Sequence, residues 1–468
     1  MKKLFLTLLI LLLSSVLIAP KIISVQIRQD LANTVAYIDN NPLYSAKISE
    51  ISSDWFNTKA KIELTITLNI PQQNSANQLP VSTTSFSLDF TAEHGPIVLQ
   101  PQPSLAWLAW RVEASGKGLG SLLAFADNEP LYQISSTTDL LGWSSFTDSL
   151  QPFTLDAQPA SVKGSFSGWK GSGTYSALQF SYHGVAESLT LNSTFANLEM
   201  KNTSINLDAQ ASLAEIFAGI LHHSFAQFHI EKLTLVRPLD PQQVTVENLQ
   251  LSSTTTVNED NTLANLELAM TAKSVRAAQI NAQELQLNLQ LNHLNGAFVK
   301  AYQVFLSDMQ ARPPGQELPQ LQTFLQQHLL MQLQASPELN ISTLQGKLDQ
   351  GEFSAQLHTK IVAVDTLPTP LFDRHFWLAH LMANASVTAD KAVVRYIVKD
   401  IIKSRLIHSG AQVSAQELDD YADQQATAII AGLAGNVLMP TATGYKLDLS
   451  LTDGQATLND QPFPLPIN

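Results

Sequence analysis

The residues best suited to chemistry in this chain are few, and their spacing serves catalysis poorly. His222 and His223 follow a helix-forming stretch and are read as lying on it. Adjacent helical residues point about 100° apart, so the pair cannot easily hold one ion. Asp373, His375 and His380 share a second helical stretch, but a five-residue histidine spacing misses the i, i+4 geometry of a metal pair. Gly116, Gly118 and Gly120 lack both the third glycine spacing and the strand–helix–strand context of a dinucleotide loop, and read as a turn. Gly164 to Gly173 carries Lys170 but no Gly-Lys-Ser/Thr ending, which points to a hairpin or a series of bulges and not to a phosphate cradle. No Gly-x-Ser-x-Gly elbow, His-Glu-x-x-His pair or calcium loop occurs. No catalytic residue, metal ligand or cofactor site is therefore assigned, and the chain is read as non-enzymatic.

The absence of cysteine excludes disulfides, thiol catalysis, Cys-based zinc sites and iron–sulfur clusters. Of the 468 residues, 45% are apolar, enough to bury a core. Only 14% are charged, well below the usual level, and Gln, Asn, Ser and Thr take their place. A formal charge of −13 argues against nucleic acid as a partner, because phosphate contacts need clustered Lys and Arg.

What would position any site begins with the N-terminus. Lys2 and Lys3 precede an apolar run from Leu4 to Ala19. As a helix those residues span about 24 Å, slightly short of the roughly 30 Å hydrocarbon core, with Ile22, Ile23 and Val25 extending it past a snorkelling Lys21. Leu17-Ile18-Ala19 before Pro20 is a poor cleavage site, so residues 1–25 are read as an uncleaved anchor with its N-terminus in the cytoplasm. The remainder would then lie in the periplasm, with residues 26–44 as a helical stalk, 45–240 as a β-rich region and 241–468 as an α+β region.

Strands follow the stalk. Ile62, Leu64, Ile66, Leu68 and Ile70 alternate with polar residues, as one apolar and one solvated face of an antiparallel sheet require. Phe86-x-Leu88-x-Phe90, Leu285 to Leu291 and Tyr445 to Leu451 repeat the pattern. Helices interrupt it: a capping box at Ser212/Glu215 opens an apolar stripe reaching Phe225, and others are expected at Ala297–Met309, Leu318–Leu333, Phe372–Met382 and Ala392–Ile407. A second capping box at Ser414/Glu417 starts a helix that stops at Gly435. The order of elements predicts an α+β fold: a single N-terminal transmembrane helix, then an elongated antiparallel β-rich body with interspersed amphipathic helices. Asn-Leu-x-Leu/Met recurs at Asn197, Asn248 and Asn265 and is read as a common strand entry.

Three segments carry a resemblance: Asp54-Trp55-Phe56-Asn57-Thr58-Lys59-Ala60, Glu93-His94-Gly95-Pro96, and Gly444-Tyr445 with Asp453-Gly454-Gln455-Ala456-Thr457-Leu458-Asn459. Together they resemble the YdgA-like family of Gram-negative envelope proteins, which has a Trp-Phe-Ser-Ser-like turn, a His-Gly-Pro step and a Leu-Asn-Gly ending, the last Gly replaced here by Asp460. The resemblance implies inner-membrane anchoring with a periplasmic body and supplies no catalytic residue, since the family's function is unknown. Trp55-Phe56 and His94-Gly95-Pro96 are expected to be structural, plugging a sheet edge and making a turn.

The expected partners are the cytoplasmic membrane, through the N-terminal helix, and a lipid or other apolar ligand held along a β-sheet groove. Elongated lipid-transfer proteins of the envelope offer a fold-level analogy. Leu285, Leu287, Leu289 and Leu291 are the candidate groove residues, because four side chains without β-branching in alternation make a smooth stripe where a tight sheet core would favour β-branched and aromatic residues. The alternative is a protein–protein adaptor or homo-oligomeric scaffold in envelope maintenance. The two are separated by whether the helices after the stripe seal it.

Overall fold

The computed structural model describes residues 2–39, 44–69, 81–100, 103–119, 123–126, 129–157, 161–237, 240–278, 280–310, 317–408 and 414–465. Within helices and strands, side chains are described except at 2–18, 66–69, 81–84 and a few isolated positions. The chain divides into two compact units, Met1–Ile220 with Tyr302–Glu317, and Leu221–Ala301 with Leu318–Asn468.

In unit one a single helix, α1 (Lys2–Asp39), leads into an antiparallel meander. Its strands are β1 (Tyr44–Ser53), β2 (Asn57–Asn69), β3 (Val81–His94), β4 (Ala106–Ala114), β5 (Leu123–Ala124), β6 (Tyr132–Asp139) and β7 (Ser144–Leu150). They continue with β8 (Phe153–Ala157), β9 (Val162–Phe166), β10 (Trp169–Tyr175), β11 (Phe180–Asn192) and β12 (Asn197–Ala209). Pairings run β1-β2-β3-β4-β6-β7-β10-β11-β12. On one side of β11, β9 and β10 pair successive halves, and β7 and β8 follow them. This is one long hairpin bent at Gly168, whose φ of +97° a side chain would strain.

Ile23, Ile27, Leu31, Val35 and Ile38 recur every three or four residues and give α1 one apolar stripe. That stripe packs on Ala46, Ala60, Ile62, Phe90 and Ala92, with Leu64, Leu88, Trp110 and Val112 around them. The expected alternation of β2 therefore holds at Ile62 and Leu64. The side chains of Ile66 and Leu68, and all of Ile70, lie outside the described residues. Among the residues whose side chains are described, no helix is long and apolar enough to cross a membrane. The run Leu4–Ile18 falls outside that comparison.

The first capping box forms as expected, with Ser212 accepting from Glu215 N and the Glu215 carboxylate accepting from Ser212 N. The helix it opens, α2 (Leu213–Phe217), ends far short of Phe225, because Gly219 takes a φ of +67° and turns the chain. His222 and His223 consequently lie in the connection and not on a helix.

Unit two is a second meander: β13 (Ser224–Arg237), β14 (Asp240–Val257), β15 (Leu263–Ala277), β16 (Ile280–Asn295), β17 (Glu338–Leu348), β18 (Gly351–Ile361) and β19 (Leu381–Asp390). It closes with β20 (Met439–Pro440), β21 (Gly444–Thr452), β22 (Gln455–Leu458) and β23 (Gln461–Phe463). Each strand from β13 to β19 pairs its successor, β19 pairs β21, and β22 leads to β23. Between strands come α3 (Gly296–Gln310), of which only Gly296–Ala301 belongs to unit two, then α4 (Glu317–Gln334), α5 (Arg374–His380), α6 (Lys391–His408) and α7 (Ala415–Leu433). The helix expected over Phe372–Met382 is shorter at both ends: Asp373 caps it, accepting from His375 N and Phe376 N, and Leu381 already belongs to β19. Asn248 and Asn265 sit inside β14 and β15 and not at strand entries. Asn248 has a positive φ, and Asn265 lies at a register shift, so these asparagines mark bulges.

Candidate functional site

Leu285, Leu287, Leu289 and Leu291 stand on one face of β16, as alternation requires, and their cross-strand partners continue the apolar surface. Opposite Leu287 lie Met270 and Leu344, and the same row runs from Phe228 and Leu251 on one side to Ala355, Val387 and Leu447 on the other. Leu289 heads a parallel row through Leu268, Ile341, Leu357, Ala385 and Leu449. Leu285 lies over Gly346, where a Cβ would come within 2.6 Å of its Cδ2. At roughly 4.8 Å between strands, the Leu287 row spans about 34 Å without a polar side chain.

None of the four leucines is buried, and Leu251, Leu268, Met270, Leu339 and Val387 around them are exposed. The following helices leave the four leucines half-buried. Phe298 and Phe324 meet each other, ring centroids 5.7 Å apart, Phe324 also packs on His328, and Gln332 ties the end of α4 to Asn295 N and the His293 carbonyl. One corner is closed, where Ala383, Leu451 and Ala456 pack with Leu378, Leu381 and Leu465. The reverse face is polar and cross-linked between strands: Gln345 donates to Gln286, Asn288 to Glu267 and Asn292 to Glu338. Such cross-strand pairs fix the register that keeps every leucine on its own side.

The two N-terminal signatures converge in unit one. Thr58 Oγ1 and His94 Nε2 lie 3.1 Å apart, Ser53 Oγ is 2.8 Å from Thr58, and Ser24 Oγ of α1 is 2.6 Å from Ser53. Gly95 packs against Phe56 and Pro20, where a Cβ would come within 3.3 Å of the Phe56 ring. Burial holds the His94 imidazole below its ordinary value, against backbone contacts at Asn57, Trp55 and Pro20 that raise it. A neutral histidine among buried hydroxyls suits a fixed hydrogen-bond chain between helix and sheet and offers no exposed nucleophile.

A third cluster escaped the sequence reading. Asp148 stands in an otherwise apolar row of unit one, between Ile134 on β6 and Gly171 on β10. Tyr182 donates to its carboxylate, and Trp169 Nε1 donates to the Tyr182 hydroxyl at 2.6 Å. Burial raises the Asp148 carboxyl, opposed by the Tyr182 bond, and pushes Tyr132 and Tyr182 up to about 12. Gly171 and Gly184 make the space: a Cβ at Gly184 would meet the Trp169 ring, and one at Gly171 would meet Tyr182 and Asp148. The available signal was glycine at alternate strand positions beside aromatics, which marks close approach as well as bulges.

The remaining sequence candidates do not assemble. Asp373 is spent on the α5 cap, and His380 Nδ1 lies 2.9 Å from the Val362 carbonyl while its ring packs on Phe376. Among the described residues no group of three or more His, Asp or Glu side chains is placed to hold a metal ion.

No curated protein and no solved structure matches the chain. Over residues 1–466 it matches DUF945, described as a bacterial protein of unknown function, and the chain belongs to that family.

Proposed function

We propose that this is a non-enzymatic, YdgA-like envelope protein that binds the acyl chains of lipid on the open apolar face of unit two. Leu4–Ala19 anchors it in the inner membrane, and the two units stand in the periplasm. The observation that carries this reading is the incompletely buried row through Leu251, Met270, Leu287, Leu344 and Val387, with Met270 37% exposed. An exposed apolar surface of this breadth marks an interaction site more than a packing remnant. A surface with little β-branching that offers no hydrogen-bonding side chains along about 34 Å suits a ligand that has none to pair.

The test is a photoreactive residue at Leu287 or Leu289 in the full chain in living cells, with Gln286 as a control on the polar face. Phospholipid or lipopolysaccharide adducts at the leucines and none at Gln286 are expected. Crosslinked dimers in their place would favour the homo-oligomeric scaffold. Absence of any adduct, with slow amide exchange across Leu285–Leu291, would overturn the lipid reading. A periplasm-active reporter fused after Asn468 tests the topology separately.

A further inference from the structure

Unit one exposes a rim of large apolar side chains on three successive connections at one end of its sheet. Trp55 and Phe56 occupy the β1–β2 turn, Ile97 and Leu99 the β3–β4 loop, and Leu141 and Trp143 the β6–β7 turn. All are exposed, Leu141 by 86%. The three connections form one contiguous edge: Gly95 packs on Phe56, Gly95 N donates to the Trp107 carbonyl, and Trp107 Nε1 donates to the Leu140 carbonyl.

This exposure is built in. The β3–β4 loop is held by paired backbone bonds between Val98 and Ser104, and by Glu93, which accepts from Leu99 N and Gln100 N. Val98 turns inward onto Ala106 and Ala109, so the loop has its own small core, and Ile97 and Leu99 are left facing outward on either side.

The position of the rim along α1 decides what it meets. Pro20 touches Gly95, and Ser24 bonds Ser53 at the end of β1, so the rim is level with residues 20–24 of the helix. The residues just before that level are the apolar run Leu4–Ala19. We infer that the rim is a second membrane contact, in which Trp55, Trp143 and their aliphatic neighbours sit in the interfacial layer of the bilayer that holds α1. The inference rests on the anchoring reading above. If Leu4–Ala19 spans the hydrocarbon, residues 20–24 emerge within about 6 Å of its edge, where Trp is favoured and exposed Leu and Ile gain by insertion. Because α1 is itself packed on the sheet, the two attachments, helix and rim, would then set the tilt of the helix and of unit one together against the membrane.

The chain has no cysteine, so single-cysteine labelling is clean. Nitroxide labels at Leu99→Cys and Leu141→Cys would be compared with Tyr44→Cys, exposed at the opposite end of β1, and with Ile10→Cys in the apolar run of the helix. The full chain is reconstituted in phosphatidylethanolamine–phosphatidylglycerol vesicles, and relaxation by dissolved oxygen and by a water-soluble nickel chelate is measured. At positions 99, 141 and 10 oxygen should relax the label more than nickel, and at position 44 the order should reverse. Nickel dominance at 99 and 141 with oxygen dominance at 10 would overturn the rim while leaving the anchor standing. Nickel dominance at 10 would overturn the anchor and the rim with it.

Discussion

Thr58 Oγ1 and His94 Nε2 share a hydrogen bond of 3.1 Å in a place where Thr58 is 0% and His94 1% exposed. The bond joins the Trp-Phe turn to the His-Gly-Pro step, and through Ser53 it reaches Ser24 of the N-terminal helix. It is the point at which helix, first turn and third strand are fixed to one another.

Thr58→Val keeps the shape and removes the hydroxyl, leaving both His94 and Ser53 short of a partner. A buried polar group so stranded costs about 1–3 kcal/mol. Urea unfolding should show a lowered midpoint with an unchanged slope, and no shift at all would mean the bond contributes nothing.

The same histidine gives unit one a pH dependence of known sign. Burial holds the folded His94 pKa below its ordinary 6.5, so the unfolded chain takes up the proton first. The stabilisation is complete above about 6.5 and is lost as pH falls from there through the depressed folded value. Stability measured between about pH 7 and 5 should drop more steeply in the natural chain than in His94→Gln; equal slopes would contradict a buried neutral imidazole.

Ile62 is 6% exposed beneath the α1 stripe, while the neighbouring Glu63 points to solvent. Ile62→Asp places an unpaired charge in that core and should cost several kcal/mol or prevent folding. Glu63→Gln should stay within about 0.5 kcal/mol. Comparable damage from both changes would show that β2 is buried on two sides.

Gly184→Ala puts a methyl group into the Trp169 ring, which rests over the strand and donates to Tyr182. Overpacking of this kind costs about 1–3 kcal/mol. The indole must move off Tyr182, so a shift in tryptophan emission should accompany the loss of stability. An unchanged spectrum would show that the trough has slack.

The local chemistry of this chain was legible in its residues. Period-2 alternation placed Leu285–Leu291 on one face, because successive strand side chains cannot do otherwise, and the serine–glutamate capping boxes marked where two helices begin. The α+β class followed from the same two periodicities. Helix ends were read less well where one glycine decides them: Gly219 at φ +67° stops α2 before an apolar stripe that continues in sequence. What only the tertiary structure decided is what each face meets. The α1 stripe and the leucine stripe are both regular apolar patterns, yet Ile27 and Leu31 are buried while Leu287 is not. Periodicity states that a face is apolar; whether that face is covered depends on contacts between segments far apart in sequence. For the same reason Ser24, Thr58 and His94 carried no sign of belonging together, nor did Asp148 and Tyr182. Their bonds exist because strand pairing brings distant backbones into register, which composition and spacing do not encode one segment at a time.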